Sequence, residues 1–578
     1  MIHLTINNMP VQVEKGTTVL EAAKQLNIKI PTLCHLDLAD FKIVNESVSC
    51  RVCVVEEVGR SKMVAACSTP CREGMNIRTD TIKVIRARRM MIELLLSNHP
   101  TDCLVCAKNG ECELQTLAAD AGVRSIRYPG EKTATKPDYS SKSIVRDMSK
   151  CIMCKRCMTM CNTVQTVGAL TDVGRGFNTV IGTVFDKPLH ETNCTFCGQC
   201  LAVCPTGALT EVNNEEKVWD ALNSDKTVIV QTAPSIRVAL GELFGMAPGT
   251  NVTGKMVTAL RAMGFDRVYD TDFAADVTIM EEASELVHRL KTGENLPLLT
   301  SCCPGWIKFI EHNYGDMLNI PSSCKSPQEM FGALAKTYLA EKMGVKPEDM
   351  IVVSVMPCVA KKYEASRPEL ANERGVSDVD IVITTRELGH MIKEMSLDFP
   401  NLPDGEFDEL MGESTGAALI FGSSGGVLEA AARTAYEWVT GEELENLDFT
   451  ALRGLKGIKE ATVPIGDINL RIAVASGLGN ARKLLDSIRS GEAKYDVIEI
   501  MACPGGCIDG AGQPYAHGDT EIIQKRMNAV YSGDVKKAIR KSHKNPQVIK
   551  LYEEYLGEPY GEKAHELLHT TYVPRARI

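Results

Sequence analysis

Apolar and polar positions alternate from the first residues. Ile2, Leu4 and Ile6 share one face of a strand, and VQVEKG continues after a turn at Asn8. The period then changes: in TTVLEAAKQLN, Leu20, Ala23 and Leu26 share a helical face, and Thr18 with Glu21 forms a capping box at its start. Strand, strand, helix and a cysteine-bearing loop predict a small α+β domain over residues 1–80. A second helix is predicted in IRARRMMIELLLSNHP, ending at Pro100 ahead of a cysteine group, within residues 81–130. Residues 129–143, PGEKTATKPDYSSKS, are poor in large apolar side chains and read as a linker or surface loop in a region spanning 131–215. Beyond it the runs TVIVQTA, MIVVSVM, RIAVASG and YDVIEIMAC alternate with helices such as VTGKMVTALRAMGF. That alternation predicts a large α/β domain over 216–578 with mainly parallel sheets. From Ser542 onward the pattern is helical and polar. The fold class is therefore multidomain α+β and α/β.

Length and charge set wide limits. A chain of 578 residues suits two to four domains, and a net charge of −10 argues against a nucleic-acid partner, whose phosphates need clustered Lys and Arg. MIHLTINNMP lacks a basic stretch followed by an apolar one, and no run of about 18 apolar residues occurs. The expectation is a cytoplasmic protein without membrane contact. The 22 cysteines change the picture most. Disulfide scaffolds are short and secreted, so thiols in a large cytoplasmic chain point to metal ligands.

An internal repeat orders eight of the cysteines. C-x2-C-x2-C-x3-C occurs as Cys151, Cys154, Cys157 and Cys161, and again as Cys194, Cys197, Cys200 and Cys204. Three thiolates on one loop match three corners of a 4Fe-4S cube, and in two-cluster ferredoxins the fourth cysteine ligates the other cube. Pro205 follows the second run as that motif requires, whereas Asn162 follows the first. Zinc sites instead pair two C-x2-C knuckles. Cys34, Cys50, Cys53 and Cys67 fit a plant-type 2Fe-2S site with a lengthened first gap, with zinc as the alternative on spacing alone. Cys71 is left over as a packing residue. HPTDCLVCAKNGEC supplies His99, Cys103, Cys106 and Cys112, one imidazole beside three thiols, a set suited to a further 4Fe-4S cluster.

Five thiols stand apart: Cys302 and Cys303 in TSCCPGW, Cys358 in MPCVAKKYE, and Cys503 with Cys507 in EIMACPGGCIDGAGQP. Cys324, in SSCKSPQ, lies in the same region. They could be buried packing residues, but three Gly- and Pro-rich thiol loops suit convergence on a metal centre. Adjacent side chains diverge from the backbone, so Cys302 and Cys303 need different tasks. The three segments resemble the signature stretches of the FeFe-hydrogenases, TSCCPxW, MPCxxKKxE and ExMxCxxGCxxGxGQP. The N-terminal groups resemble the long, multi-cluster form of that family.

The resemblance implies an H-cluster, a 4Fe-4S cube joined through a cysteine sulfur to a two-iron unit carrying CO and cyanide. It also implies three further 4Fe-4S clusters and one 2Fe-2S cluster. By position the cube's ligands are Cys303, Cys358, Cys503 and Cys507, with Cys507 as the bridge. Cys302 stays free as proton donor and acceptor, heading a path through Glu282, Ser322 and Glu285 toward Arg289. On spacing alone, Glu282 and Glu285 read as a solvated helix face. Ala233, Pro234, Ser235, Gln328, Met356, Lys361, Phe421 and Met501 match positions around the two-iron unit. Lys361 is expected to hold a cyanide nitrogen and the methionines to exclude solvent. Val359 stands where many relatives carry Thr, and FGSSGGVLEAA brings Ser424 and Leu428 in place of Thr and Met; no ligand or relay position changes.

The implied activity is reversible formation of H2 from protons and electrons. Implied partners are ferredoxin and maturation proteins that deliver the two-iron unit. In an electron-bifurcating complex, flavin/NAD-binding and 2Fe-2S subunits join them; a stand-alone ferredoxin hydrogenase is the alternative. The chain carries no flavin or dinucleotide fingerprint of its own. Iron-sulfur assembly factors, H2 sensors and the electron-wire subunit of respiratory complex I share parts of this pattern. All three signatures together with Cys302 and the acidic pair favour the enzyme.

Overall fold

A computed structural model describes residues 1–38, 43–45, 48–133, 135–371, 375–466 and 468–576. The opening alternation becomes an antiparallel pair, Ile2–Ile6 with Met9–Val13, at one side of a five-stranded sheet. Asn76–Arg78, Val54–Glu57 and Val64–Ala65 follow in that order. Leu4, Ile6 and Val13 pack with Leu20, Ala22 and Ala23 of the helix Val19–Gln25. The helix starts where its sequence says. Thr18 Oγ1 accepts the Glu21 N–H at 3.2 Å, and Glu21 Oε2 accepts the Thr18 N–H at 2.6 Å, a cap worth about 1 kcal/mol. Cys71 is buried in this core, and burial raises its thiol pKa, keeping it neutral.

The next helix, Ile82–Ser97, begins before the IRAR stretch because Thr81 caps it through the Val84 N–H. Among the described residues, 129–143 carry only an isolated bridge from Asp138 to Arg146. The cysteine repeat is closed by the antiparallel pair Ile144–Arg146 and Leu209–Glu211.

The apolar runs beyond the repeat form two four-stranded sheets. One is wholly parallel, ordered Arg267–Asp270, Thr227–Thr232, Met350–Met356, Ile381–Thr384. The other is ordered Leu298–Leu299, Val497–Met501, Ile468–Ser476, Ile458–Ile465, and only its last pair is antiparallel. The central strands are apolar on both faces because helices cover both. The helix Thr271–Thr292 buries Glu281, Glu282, Glu285 and Arg289, which overturns the solvated-face reading. The C-terminal segment also departs from its polar reading. Val548, Leu551, Tyr552, Leu556, Ala564 and Leu568 enter the largest core; they form a narrow apolar face hidden within a polar majority. No helix among the described residues is long and apolar enough to cross a membrane.

Candidate active site and metal centres

Four parallel strands deliver the site at their carboxyl ends. Thr227–Thr232 leads into Ala233, Pro234 and Ser235; Leu298–Leu299 leads to Cys302 and Cys303. Met350–Met356 leads to Cys358, and Val497–Met501 to Cys503 and Cys507. Loops diverge at such ends, so open α/β sheets bind ligands there. The residues beyond the strand ends, with Gln328, Met356, Lys361, Phe421 and Met501, line one cavity.

The adjacent cysteines separate as the backbone requires. Cys303 caps the helix Pro304–Asn313, packs on the Trp306 side of the core and accepts the Ala502 N–H on Sγ at 3.4 Å. Cys302 packs into a different cluster, with Ala275, Ile279, Phe421 and Met501. Burial first, then Glu282, holds its thiol well above the ordinary pKa. The Cys507 loop turns at Gly506, whose φ of 96° favours glycine and whose Cβ would come within 2.5 Å of Ser424 N.

Lys361 is a buried cation with a fixed aim. Its Nζ donates to the Cys302 carbonyl at 3.1 Å and to Glu364 Oε2 at 2.7 Å. Burial works against the ammonium, but Glu364 together with Cys302 and Cys358 outweighs it and the pKa is raised. Ser326 Oγ (2.9 Å) and Gln328 Nε2 (3.2 Å) donate to the same Glu364 oxygen, while Gln328 Oε1 is buried without a partner. The MPCVAKKYE motif contains Glu364, but its role was not read from sequence. The available signal was its position three residues after Lys361 on one helix.

Behind Cys302 the acidic residues line up. Glu282 is 3% exposed with Oε1 unpartnered. Burial and then Glu285 push its carboxyl up to about 8, against hydrogen bonds from the Ser301 backbone and the Ser322 side chain. Ser322 Oγ donates to Glu285 Oε2 at 2.7 Å, and Arg289 Nη2 to Glu285 Oε1 at 2.5 Å. The structure therefore brings together Cys302, Glu282, Ser322, Glu285 and Arg289.

The two cysteine repeats exchange their fourth members. Cys161 lines a small cavity with Cys194, Cys197 and Cys200. Cys204 lines another with Cys151, Cys154 and Cys157. The first of these lies against the active-site region: Gly198, at φ 74°, has no room for a Cβ, which would meet Val359 at 2.4 Å and Ala511 at 2.5 Å. A methyl on Gly305 would likewise sit 3.3 Å from Cys197 Cβ.

Two more groups abut the cavity holding Cys204. His99 Nδ1 is hydrogen-bonded to the Pro100 carbonyl at 2.6 Å, while Nε2 is buried near the Lys150 backbone without a hydrogen-bond partner. Cys112 Sγ lies 3.6 Å from the Pro205 carbonyl, and a Cβ on Gly207 would meet Cys106 Sγ at 2.8 Å. In the first domain Cys53 and Cys67 sulfurs are 3.4 Å apart, and Cys34 hydrogen-bonds Cys50. Asn45 Nδ2 ties the Cys34 carbonyl (2.6 Å) to that of Cys154 (2.8 Å).

The donor sets suit clusters rather than single ions. Among the described residues no three His, Cys, Asp or Glu side chains close on one point, as a single zinc would require. The repeat and active-site thiols instead surround space. Burial raises the thiols of Cys151 and Cys197 to about 12 and of Cys194 to about 11. Loading iron therefore releases protons. An unpartnered Nε2, with Nδ1 fixed by a carbonyl, is the arrangement of a ligating histidine.

Comparison with known proteins gives the same outline. The chain matches the families described as "Iron only hydrogenase large subunit, C-terminal domain" over residues 226–511 and "Iron hydrogenase small subunit" over 520–575. Residues 1–82 match a 2Fe-2S iron-sulfur cluster binding domain, 88–127 an NADH-ubiquinone oxidoreductase-G iron-sulfur binding region, and 141–210 a ferredoxin-like domain of NADH-quinone oxidoreductase subunit 3. The NADP-reducing hydrogenase subunit HndD of Solidesulfovibrio fructosivorans is 56% identical across 100% of both chains. Iron hydrogenase 1 of Clostridium pasteurianum is 41% identical over 98% of this chain and 99% of its own. The structure of a variant of the apo [FeFe]-hydrogenase HydA1 from Chlamydomonas reinhardtii covers 63% of this chain and 100% of its own at 45% identity and a TM-score of 0.58.

Proposed function

The chain belongs to the FeFe-hydrogenases, and from that premise we propose that it is the catalytic subunit of a cytoplasmic complex coupling H2 to ferredoxin and NAD(P)+. The observation that carries the catalytic reading is the single cavity in which Cys303, Cys358, Cys503 and Cys507 meet Cys302 and Lys361. The first four would hold the cube of the H-cluster. Bound there, the H-cluster supplies the site at which electrons and protons interconvert with H2.

The protein's own residues do the rest. Lys361, anchored by Glu364, would present its ammonium to an anionic ligand of the two-iron unit. Ala233, Pro234, Ser235, Met356, Phe421 and Met501 keep that pocket dry, and Gln328, whose Oε1 is buried without a partner, lines it with them. Cys302 Sγ gives or takes the proton, exchanging it with Glu282, which exchanges with Glu285 through Ser322. Arg289 clamps Glu285 in place.

Electrons follow a branched wire through the domains 1–80, 81–130 and 131–215. One 2Fe-2S cluster on Cys34, Cys50, Cys53 and Cys67 and one 4Fe-4S cluster on His99, Cys103, Cys106 and Cys112 form two entrances. Cys151, Cys154, Cys157 and Cys204 would hold one 4Fe-4S cube, and Cys161, Cys194, Cys197 and Cys200 a second beside the domain 216–578, and these would supply the onward path. The proximities of Asn45 to Cys154 and of Cys112 to Pro205 support that order. Two entrances suit two electron partners. The chain has no dinucleotide fingerprint, and HndD bears the name of an NADP-reducing hydrogenase subunit. Flavin/NAD-binding and 2Fe-2S subunits therefore complete the complex.

Protein made with maturation proteins and purified anaerobically should evolve H2 from reduced methyl viologen. Absence of evolution with full iron loading would overturn the enzymatic reading. Purification from its native cell as a single peak at monomer mass would remove the complex. Lys361→Asn is expected to bind the cubes normally but retain little of the two-iron unit, read as loss of the CO and cyanide infrared bands. Wild-type bands would contradict the anchoring role.

A further inference from the structure

We propose that protons reach Glu285 from solvent through Ser323 and His569, making the C-terminal segment part of the proton path. The inference rests on the hydrogenase reading and extends its relay outward. Arg289 is a poor exit. Its Nη1 donates to the carbonyls of Asn295 at 2.7 Å and Ile320 at 2.8 Å, and its Nη2 to Glu285 at 2.5 Å and Pro321 at 3.0 Å. A guanidinium has no acceptor and does not release its proton in proteins. It fixes Glu285 without relaying.

A second route leaves the same carboxylate. Ser323 Oγ lies 3.3 Å from Glu285 Oε1 and 2.8 Å from His569 Nδ1. His569 Nε2 is 3.0 Å from Glu281 Oε2, whose carboxylate also accepts the Tyr552 hydroxyl and, at 2.9 Å, the Tyr560 N–H. The ring of His565, exposed to solvent, stacks on that of His569 with centroids 4.0 Å apart. The alignment is built into the backbone: Cys324 and His569 form a β-bridge, with Lys325 N–H on the Leu568 carbonyl at 2.8 Å and Thr570 N–H on that of Ser323 at 2.7 Å.

Serine and histidine each donate and accept, so the chain passes a proton, and the serine hydroxyl turns back before the next one. Protonated on both nitrogens, His569 donates from Nε2 to Glu281 and from Nδ1 to Ser323. The Nδ1 proton moves to Ser323 Oγ while Ser323 releases its own to Glu285 Oε1. His569 is left neutral, Ser323 unchanged, Glu285 protonated; the reverse sequence exports a proton. The groups facing His569 are Glu281 and Glu285 from the long helix, Tyr552, Tyr560 and His565 from the C-terminal segment, and Cys324 beside Glu285.

The test uses the full holoenzyme and the variants His569→Ala and Ser323→Ala, the latter removing only a hydroxyl. Both should slow H2 evolution by about tenfold or more. Added imidazole should restore His569→Ala in proportion to its concentration. After rapid mixing into D2O, the infrared band of the protonated Glu282 carboxyl should exchange more slowly in both variants. Wild-type turnover and wild-type exchange would overturn the branch. So would lost turnover with normal exchange and no imidazole rescue, which describes a structural strap. If the wild type itself evolved no H2, the hydrogenase reading would fall, and carboxyl exchange alone would decide the route.

Discussion

Cys302→Ala is expected to cut H2 evolution by about 10²–10⁴-fold, the range a positioned proton-transfer group supplies, with iron content and cluster infrared bands unchanged. The expectation follows from how TSCCPGW is held. Cys303 Sγ accepts the Ala502 N–H from the strand end that leads to Cys503. Cys302 lies in the apolar cluster of Ala275, Ile279, Phe421 and Met501, which offers no proton acceptor to replace it. After burial, the largest influence on the thiol is Glu282. Removing the sulfur therefore leaves a methyl group in a dry gap between Glu282 and the cavity. Cys303→Ala should behave oppositely, losing iron from the active-site cube and activity together. Iron analysis, infrared spectra and viologen assays on the two variants distinguish the roles. If Cys302→Ala lost iron as Cys303→Ala does, both cysteines would be ligands and the division would fail.

The sequence pattern reaches the strands well and the site unevenly. MIVVSVM is a strand over the same seven residues, Met350–Met356, because a doubly covered parallel strand is apolar without interruption. The cysteine repeat shows its spacing openly, and the exchange of Cys161 and Cys204 between cavities follows from short C-x2-C loops that reach only three corners of one cube. Two features lay beyond pattern. Glu282 and Glu285 resemble any exposed acidic pair, since spacing does not reveal that helix Thr271–Thr292 buries both of them. The polar C-terminal segment conceals His569, whose partners are Glu281 and Ser323, hundreds of residues earlier in the chain. Contacts at that separation leave no local period.

Glu282→Gln should abolish nearly all turnover, by about 10²–10⁴-fold, and should also reverse a pH-dependent loss of stability. The buried carboxyl is raised from 4.5 to about 8, by burial and then by Glu285. It is therefore protonated at neutral pH and can supply a proton toward Cys302; this supply fails as pH rises through about 8. Wild-type H2 evolution should fall above that pH. Gln keeps the shape and hydrogen-bonding capacity but has no transferable acid proton. The stability sign is separate. An unfolded Glu282 ionises near 4.5 while the folded one holds its proton to about 8, so its contribution is full below the lower value. It declines through that window and is lost above the upper one. Gln never ionises. Denaturation midpoints of wild type and Glu282→Gln should nearly coincide at about pH 5 and separate by about pH 9, with the variant the more stable. Equal midpoints at both pH values would mean that Glu282 is already ionised in the folded protein. It would then be an electrostatic neighbour of Cys302 rather than its proton donor, even if the variant were inactive.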